Sequence, residues 1–323
     1  MHLYSCSLCF CSPGSILYDM AGLIMILISA MFFPGMILRT KSIASGRKGP
    51  GIFQPLRDAG VLVRKGSVFS TTTGLITQIA PVISLASVIC AALVVPFGHQ
   101  EALIHFEGDF IFFAYILALG RFFMIIAALD TGSAFEGMGA SREAFFSMLI
   151  EPAFFILMAT FSMFTGLVSF SDIFSHFFIT GNHYVLIFSI IGFYLFIQTA
   201  LIENSRLPVD DPKTHLELTM IHEVMILDYS GLDKALIHIT TWLKFAVYGS
   251  LMYNVIVPAG WNIFLQIGLF IAVQALFAII VGFLESFRAR NKMNKNPKFI
   301  LTISAIALIA FAVILILNLN LNP

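Results

Sequence analysis

Charge is what this sequence lacks. Only 11% of its 323 residues are Asp, Glu, Lys or Arg, against 59% hydrophobic ones, and the mean hydropathy is +0.93. An ordinary soluble domain carries about a quarter charged residues. A chain this apolar has too few polar atoms to cover a surface facing water, which leaves lipid as its solvent. The formal net charge is zero, and no nucleic-acid partner is expected. Cysteine is scarce as well. Cys90 lies in an apolar run, while Cys6, Cys9 and Cys11 crowd the N-terminal tail. Three thiols fall short of a four-ligand metal site. His215 and His222, with Glu217 or Glu223, lack HExxH spacing. No metal site is therefore expected in this chain. Nowhere do a basic region, a short apolar region and a cleavage site follow one another as in a signal peptide; Met20 offers a second candidate start. No internal repeat is visible, which speaks against an inverted-repeat transporter plan.

What is present in quantity is long apolar runs. A helical span needs about 20 such residues. Eight stretches qualify: about 16–38, 75–97, 110–129, 144–166, 184–202, 237–258, 262–284 and 299–318. Lipid offers backbone groups no partner, so each stretch must be helical or strands must close a barrel. The runs are too long and too poor in alternation for a barrel. The fold class expected is an all-α integral membrane protein: a tail over 1–15, then one polytopic domain over 16–323.

The cations then set the orientation. Sixteen of the eighteen Lys and Arg fall in the loops after spans 1, 3, 5 and 7, and the other two, Arg121 and Lys244, lie within spans. The alternate loops carry Glu101, Glu107, Asp109 and Asp172 instead. The positive-inside rule puts the basic loops in the cytoplasm and both termini outside it. The expected location is the inner (plasma) membrane.

Several segments hold more than solvation requires. After Gly46, Gly49, Pro50 and Gly51, the run PLRDAGVLVRK suits a short amphipathic helix on the membrane face, serving as a headgroup anchor or as a docking surface for a peripheral subunit. The second basic loop, LDTGSAFEGMGASREAF, reads as a turn with a helix start at SRE. Glu151, beside Pro152, sits about 10 Å inside span 4, too deep for a short side chain to reach water. A charge there costs about 2.5–3.5 kcal/mol or more. Arg121 lies at similar depth in span 3, and the two are expected to pair. The third basic loop, about 203–236, carries Glu203, Asp210, Asp211, Glu217, Glu223, Asp228 and Asp233, with a helical stretch before DYSG. Such acids serve solvation or proton relay. Glu285 is expected to pair at the boundary with Arg288 and Arg290.

Together RKGPGIFQPLRD (47–58), LDTGSAFEGMGASREAF (129–145), EP (151–152), IENSRLPVDDP (202–212), LEL (216–218) and DYSG (228–231) resemble one family. It is the membrane subunit 1 family of NADH-quinone oxidoreductase, respiratory complex I, with its hydrogenase relatives. The likeness covers nearly all of the chain after residue 16. GPG, LDTGS and GASRE are similar to the hydrogenase branch, that of formate hydrogenlyase subunit 4 and hydrogenase-4 component C. One departure is Lys213, Thr214 and His215, where relatives usually have more glutamates.

The resemblance implies a membrane subunit of an energy-converting [NiFe]-hydrogenase or related complex. It would dock the hydrophilic redox arm and couple electron transfer to proton or sodium translocation. By that analogy Glu151, Glu203, Asp210, Glu217, Asp228, Arg121 and Glu143 form the proton pathway. Gly49, Pro50, Gln54, Arg57, Arg142 and Arg206 form the docking surface. No catalytic residue and no cofactor is expected in this chain; iron–sulfur clusters and a NiFe site would belong to hydrogenase-like large and small partner subunits. Antiporter-like subunits would adjoin it in the membrane. Two alternatives stand beside this: the quinone-site subunit of complex I proper, with quinone as ligand, and a stand-alone secondary transporter. The topology is testable directly. Alkaline phosphatase fused after residue 323 is expected to be active, and a green fluorescent protein fused there dark; the reverse pattern would invert the assignment.

Overall fold

The computed structural model describes residues 13–70, 72–98, 101–178, 184–210, 220–258 and 262–321, with side chains from 20 to 318. Within them it is helical, as the apolar runs require. The long helices are α1 (Pro13–Ala44), α3 (Leu75–Val94), α4 (Asp109–Asp130), α5 (Ala134–Thr165), α7 (Val185–Glu203), α9 (Gly231–Ile256), α10 (Ile263–Phe287) and α11 (Asn296–Leu321). Shorter pieces lie between them: α2 (Gln54–Arg64), α6 (Phe170–Phe177) and the single turn α8 (His222–Met225). Every expected span has its helix, and the expected amphipathic segment is α2, which buries Pro55 and Ala59.

Seven of the eight long helices have the length and apolarity to cross a membrane. The exception is α9, which carries Asp233, Lys234 and Lys244 along its 26 residues. Its position explains the polarity. It packs against α1, α3, α7 and α10 and against α2, and every residue from Phe245 to Val255 is buried. Hydropathy measures fitness for lipid, and a helix surrounded by protein is relieved of that demand. Aromatic rings fill the space around it. Phe33 of α1 stacks on Phe245, and Phe97 and Phe270 pack on Tyr253.

Two departures from the sequence expectation matter for the site. The first is at α5. The stretch expected to turn before a helix start at SRE is already helix, with Ser133 just before its first turn, running from Ala134 through Pro152 to Thr165. Its small residues serve close approach rather than bending: a Cβ on Gly139 would stand 2.8 Å from the carbonyl oxygen of Ile221. The second is the helical stretch expected before DYSG. Among the described residues it is only the α8 turn, while Asp211, Lys213, His215 and Glu217 lie outside the described residues, as do Cys6, Cys9 and Cys11.

DYSG itself is a clasp. Tyr229 donates from its hydroxyl to the carbonyl of Thr77 (3.0 Å). Ser230 exchanges hydrogen bonds with the backbone of Val68 at 2.9 and 3.3 Å. Gly231 has φ +55 and lies against the backbone of Lys65 and Gly66, leaving no room for a side chain. The start of α9 is thereby tied to α3 and to the segment leaving α2. At the opposite end of the bundle, buried Asp109 accepts from Ser169 Oγ (2.8 Å) and Phe170 N (2.7 Å), and so caps α6.

Candidate functional site: a buried charge line

The site is built around the end of α7. That helix stops at Glu203 inside the protein, and the chain beyond stays buried: Asn204, Ser205, Leu207, Val209 and Asp210 are all under 9% exposed. Ser205 takes φ +48, a left-handed conformation uncommon outside glycine. This sharp exit lets neighbouring side chains diverge. Glu203 meets Arg121 of α4, Ser205 meets Glu143 of α5, and Arg206 meets Glu285 of α10.

Arg121 is the centre. It is 7% exposed and about 13 Å from the end of α4, counting nine residues of helix rise. Its Nη2 is in contact with Glu203 Oε2, and its Nη1 is 3.4 Å from Glu151 Oε1. The expected Arg121–Glu151 pair is thus present, with Glu203 added as the closer partner. The guanidinium holds its charge at any ordinary pH, so it recruits carboxylates wherever it is buried. Glu203 is buried with it, whereas 41% of the Glu151 side chain remains accessible. Glu151 sits at the open side of a groove lined by Phe113, Leu117, Phe154 and Phe155. Glu143 accepts from Ser205 Oγ (3.0 Å). A small cavity of about 30 Å³ touches Arg121, Glu143, Glu203, His222 and Lys244.

Nearer the basic end a second layer of pairs follows. Buried Glu285 is 3.0 Å from both Arg206 Nη1 and Lys41 Nζ. The partners expected for it, Arg288 and Arg290, are elsewhere. Arg288 lies over the Phe299 ring (5.5 Å), and Arg290 is 2.8 Å from Asp210. The reason is geometric: α10 ends at Phe287, so the two arginines leave the helix face that carries Glu285. Asp210 also accepts from the backbone N–H groups of Ile221 (3.3 Å) and His222 (3.0 Å). Burial holds the His222 imidazole down at about 4, from an ordinary 6.5.

The residues named from sequence divide. Arg121, Glu151, Glu203, Glu143 and Asp210 come together along this line. Asp228 does not: its side chain is exposed, and its backbone N–H donates to Glu136 Oε1 (3.3 Å). Glu217 lies outside the described residues. Of the docking set, Pro50 and Arg57 are exposed, Gly49 is half-buried, and Gln54 donates to Asp58 (2.8 Å). Arg142 and Arg206 are spent internally. Arg142 donates to the carbonyl of Met220 (3.2 Å), and Arg206 is held by Glu285 and the Phe245 ring. Two charged residues inside the bundle escape the sequence reading, Glu136 off this line and Lys244 in the wall of its cavity. Glu136, which that reading puts in a solvated turn, is 1% exposed at the start of α5; the available signal is Ser133 followed three residues later by Glu, a helix-start pattern. Lys244 stands out in the sequence only as a cation within a span, and that position is itself the signal.

A larger cavity, about 280 Å³, opens between α1, α2 and α9, lined by Pro34, Ala59, Arg206, His222, His238 and Trp242 among others. Among the described residues, no three His, Cys, Asp or Glu side chains are grouped to hold a metal ion.

A bundle of apolar helices that keeps paired charges in its interior matches known membrane proteins. The chain belongs to the NADH dehydrogenase family, whose family model matches residues 18–317. It is 27% identical over 311 residues to formate hydrogenlyase subunit 4 of Escherichia coli strain K12, covering 93% of this chain and 99% of that one. To hydrogenase-4 component C of the same strain it is 29% identical over 253 residues, covering 77% and 78%. Its fold is that of a chain in the membrane-bound sulfane sulfur reductase, an archaeal respiratory membrane complex, with TM-score 0.76, 18% identity and coverage of 93% and 99%. The chain is therefore a multi-pass membrane protein whose relatives are subunits of hydrogenase and respiratory complexes.

The depressed imidazole yields a pH test. Folded His222 titrates at about 4 and the unfolded residue at 6.5, so between those values the unfolded state binds more protons. The stability this contributes is complete above pH 6.5 and is lost as pH falls toward 4. The melting temperature should drop over that window in the wild type and less in His222→Gln; equal slopes would show that His222 is not held neutral.

Proposed function

We propose that this protein is the membrane subunit of an energy-converting hydrogenase or hydrogenase-related complex, coupling electron transfer in a docked redox arm to proton or sodium movement. The observation that carries the reading is Arg121, held between Glu203 and Glu151 at membrane depth. Charges kept inside a membrane protein are costly, and function is the usual reason for keeping them. The likeness to formate hydrogenlyase subunit 4 and hydrogenase-4 component C supports the choice of complex.

In this reading the exposed first-loop segment, with Pro50 and Arg57 beside Gly49 and Gln54, receives hydrogenase-like large and small subunits at the cytoplasmic face of the inner membrane. Those partners carry the iron–sulfur clusters, and a NiFe site where one is intact. Arg142 and Arg206 act one step inward: Arg206 ties the buried segment between Glu203 and Asp210 to Glu285, and Arg142 holds the carbonyl of Met220, next to Ile221 and His222 whose N–H groups Asp210 accepts. A change at the docked arm is felt there, and Glu143, Glu203 and Glu151 pass the proton. Glu151 is accessible on its outer side, and a carboxylate left against acyl chains costs about 2.5–3.5 kcal/mol or more. An antiporter-like membrane subunit packed over α4 and α5 would cover it and receive the proton.

A second reading, the quinone-site subunit of complex I, is favoured by one observation: the 280 Å³ cavity between α1, α2 and α9, close to the roughly 300 Å³ at which ligand pockets begin. Quinone reduction blocked by quinone-site inhibitors would select it; hydrogen evolution insensitive to them would select the first.

The coupling role is tested by Glu151→Gln in the intact complex. Proton translocation into vesicles should fall by about a hundredfold, the usual effect of removing a proton-transferring side chain. Hydrogenase activity with a soluble electron acceptor should persist. Undiminished translocation in that variant would overturn the reading.

A further inference from the structure

Lys244 is the charge that the pairs described above leave over. It lies on α9 inside the bundle, in the wall of the 30 Å³ cavity it shares with Arg121, Glu143 and Glu203. The other cations around it are engaged: Arg206 and Lys41 with Glu285, Arg290 with Asp210, and Lys234 with Glu223 at 3.7 Å. Among the described residues Lys244 has no ion-pair partner and no hydrogen-bond partner. Its cavity is large enough for a water molecule, which needs about 10–15 Å³ of such volume.

Arg121, by contrast, has a choice of partners. It is in contact with Glu203 and 3.4 Å from Glu151, two carboxylates on different helices. A modest rotation of its side chain toward Glu151 would leave Glu203 without a counter-ion, and the cation next in line is Lys244. The two cations differ in kind. A guanidinium does not release its proton, whereas a lysine amine in a protein interior does so readily. Around Lys244 the titratable and charged groups are Arg121 from α4, Glu143 from α5, Glu203 from α7 and His222 from the turn before α9; α3 contributes only Ser84.

We propose that Lys244 and Arg121 alternate as the counter-ion of Glu203, so that each swing of Arg121 to Glu151 draws one proton onto Lys244 and each return expels it. The step balances simply. The Lys244 Nζ lone pair forms a new N–H bond with a proton from the cavity water, which is resupplied through Glu143 or His222. On the return the same bond breaks, and the proton leaves by way of the water. No electron moves within this chain. The inference rests on the coupling function proposed above and gives it a proton-binding atom.

Lys244→Arg and Lys244→Met, each in the intact complex in sealed vesicles, form the test, with Glu151→Gln alongside. Lys244→Arg keeps the charge and cannot release a proton. Translocation should fall about a hundredfold in both lysine variants, while activity with a soluble acceptor is retained. A purely structural charge would be rescued by Lys244→Arg, and that rescue would overturn the proposal. Normal translocation in Lys244→Met would overturn it too. If Glu151→Gln abolishes translocation and the lysine variants do not, this inference alone fails. If all three translocate normally, the coupling reading fails with it. Should Lys244→Arg not assemble on a native gel, structures of the wild-type complex at oxidising and reducing poise decide: Arg121 on Glu203 in both would exclude the alternation.

Discussion

A guanidinium inside a membrane protein is a fixed positive charge, and Arg121 imposes that charge on everything around it. It cannot be neutralised by losing its proton, and replacing its hydration demands carboxylates at bonding distance. Two answer, from α5 and from the last residue of α7. The second explains why α7 is short. Glu203 reaches Arg121 from the end of its helix, so the chain must leave helical geometry at depth, through Ser205 in a left-handed conformation. Irregular backbone is tolerated there because protein surrounds it on all sides. Asn204 bonds back to the helix end through its side chain, and Asp210 collects the N–H groups of Ile221 and His222.

The same constraint orders the charges in layers. Arg121 with Glu203 and Glu151 lies deepest, Glu143 with Ser205 beside it, and Glu285 and Asp210 with their cations toward the basic end. Each layer is anchored by a residue between 203 and 210. That short segment touches α4, α5 and α10 through its side chains, and the stretch after α10 through Asp210 and the carbonyls of Pro208 and Val209, so a displacement of the segment reaches all of them together. A small displacement there would be felt at Arg121.

Apolar length makes the helices legible, because a membrane span is set by bilayer thickness and little else. Equal depth along two neighbouring spans suffices to pair Arg121 with Glu151. What fails is adjacency in sequence as a guide to contact. Arg288 and Arg290 are near Glu285 in the chain, yet Lys41 and Arg206 arrive at it from α1 and from the end of α7. The residues around 132–141 read as a turn because glycine and serine abound there; in a crowded bundle such residues mark a close approach, here of α5 to Ile221. The resemblance gives Arg142 and Arg206 a docking role; in the structure Arg142 donates to the carbonyl of Met220 and Arg206 pairs with Glu285. Nothing local in the sequence says which way a boundary arginine faces.

The polarity of α9 has a consequence for how the protein is made. A segment carrying Asp233, Lys234 and Lys244, and too polar to meet the hydropathy of the other seven long helices, gains little by partitioning into bare lipid during synthesis. It must be received by α1, α3 and α7, already in the bilayer when it emerges, and be sealed from behind by α10. Biogenesis of this bundle is thus cooperative at its centre: the helix that carries Lys244 enters the membrane as a guest of the helices that will surround it.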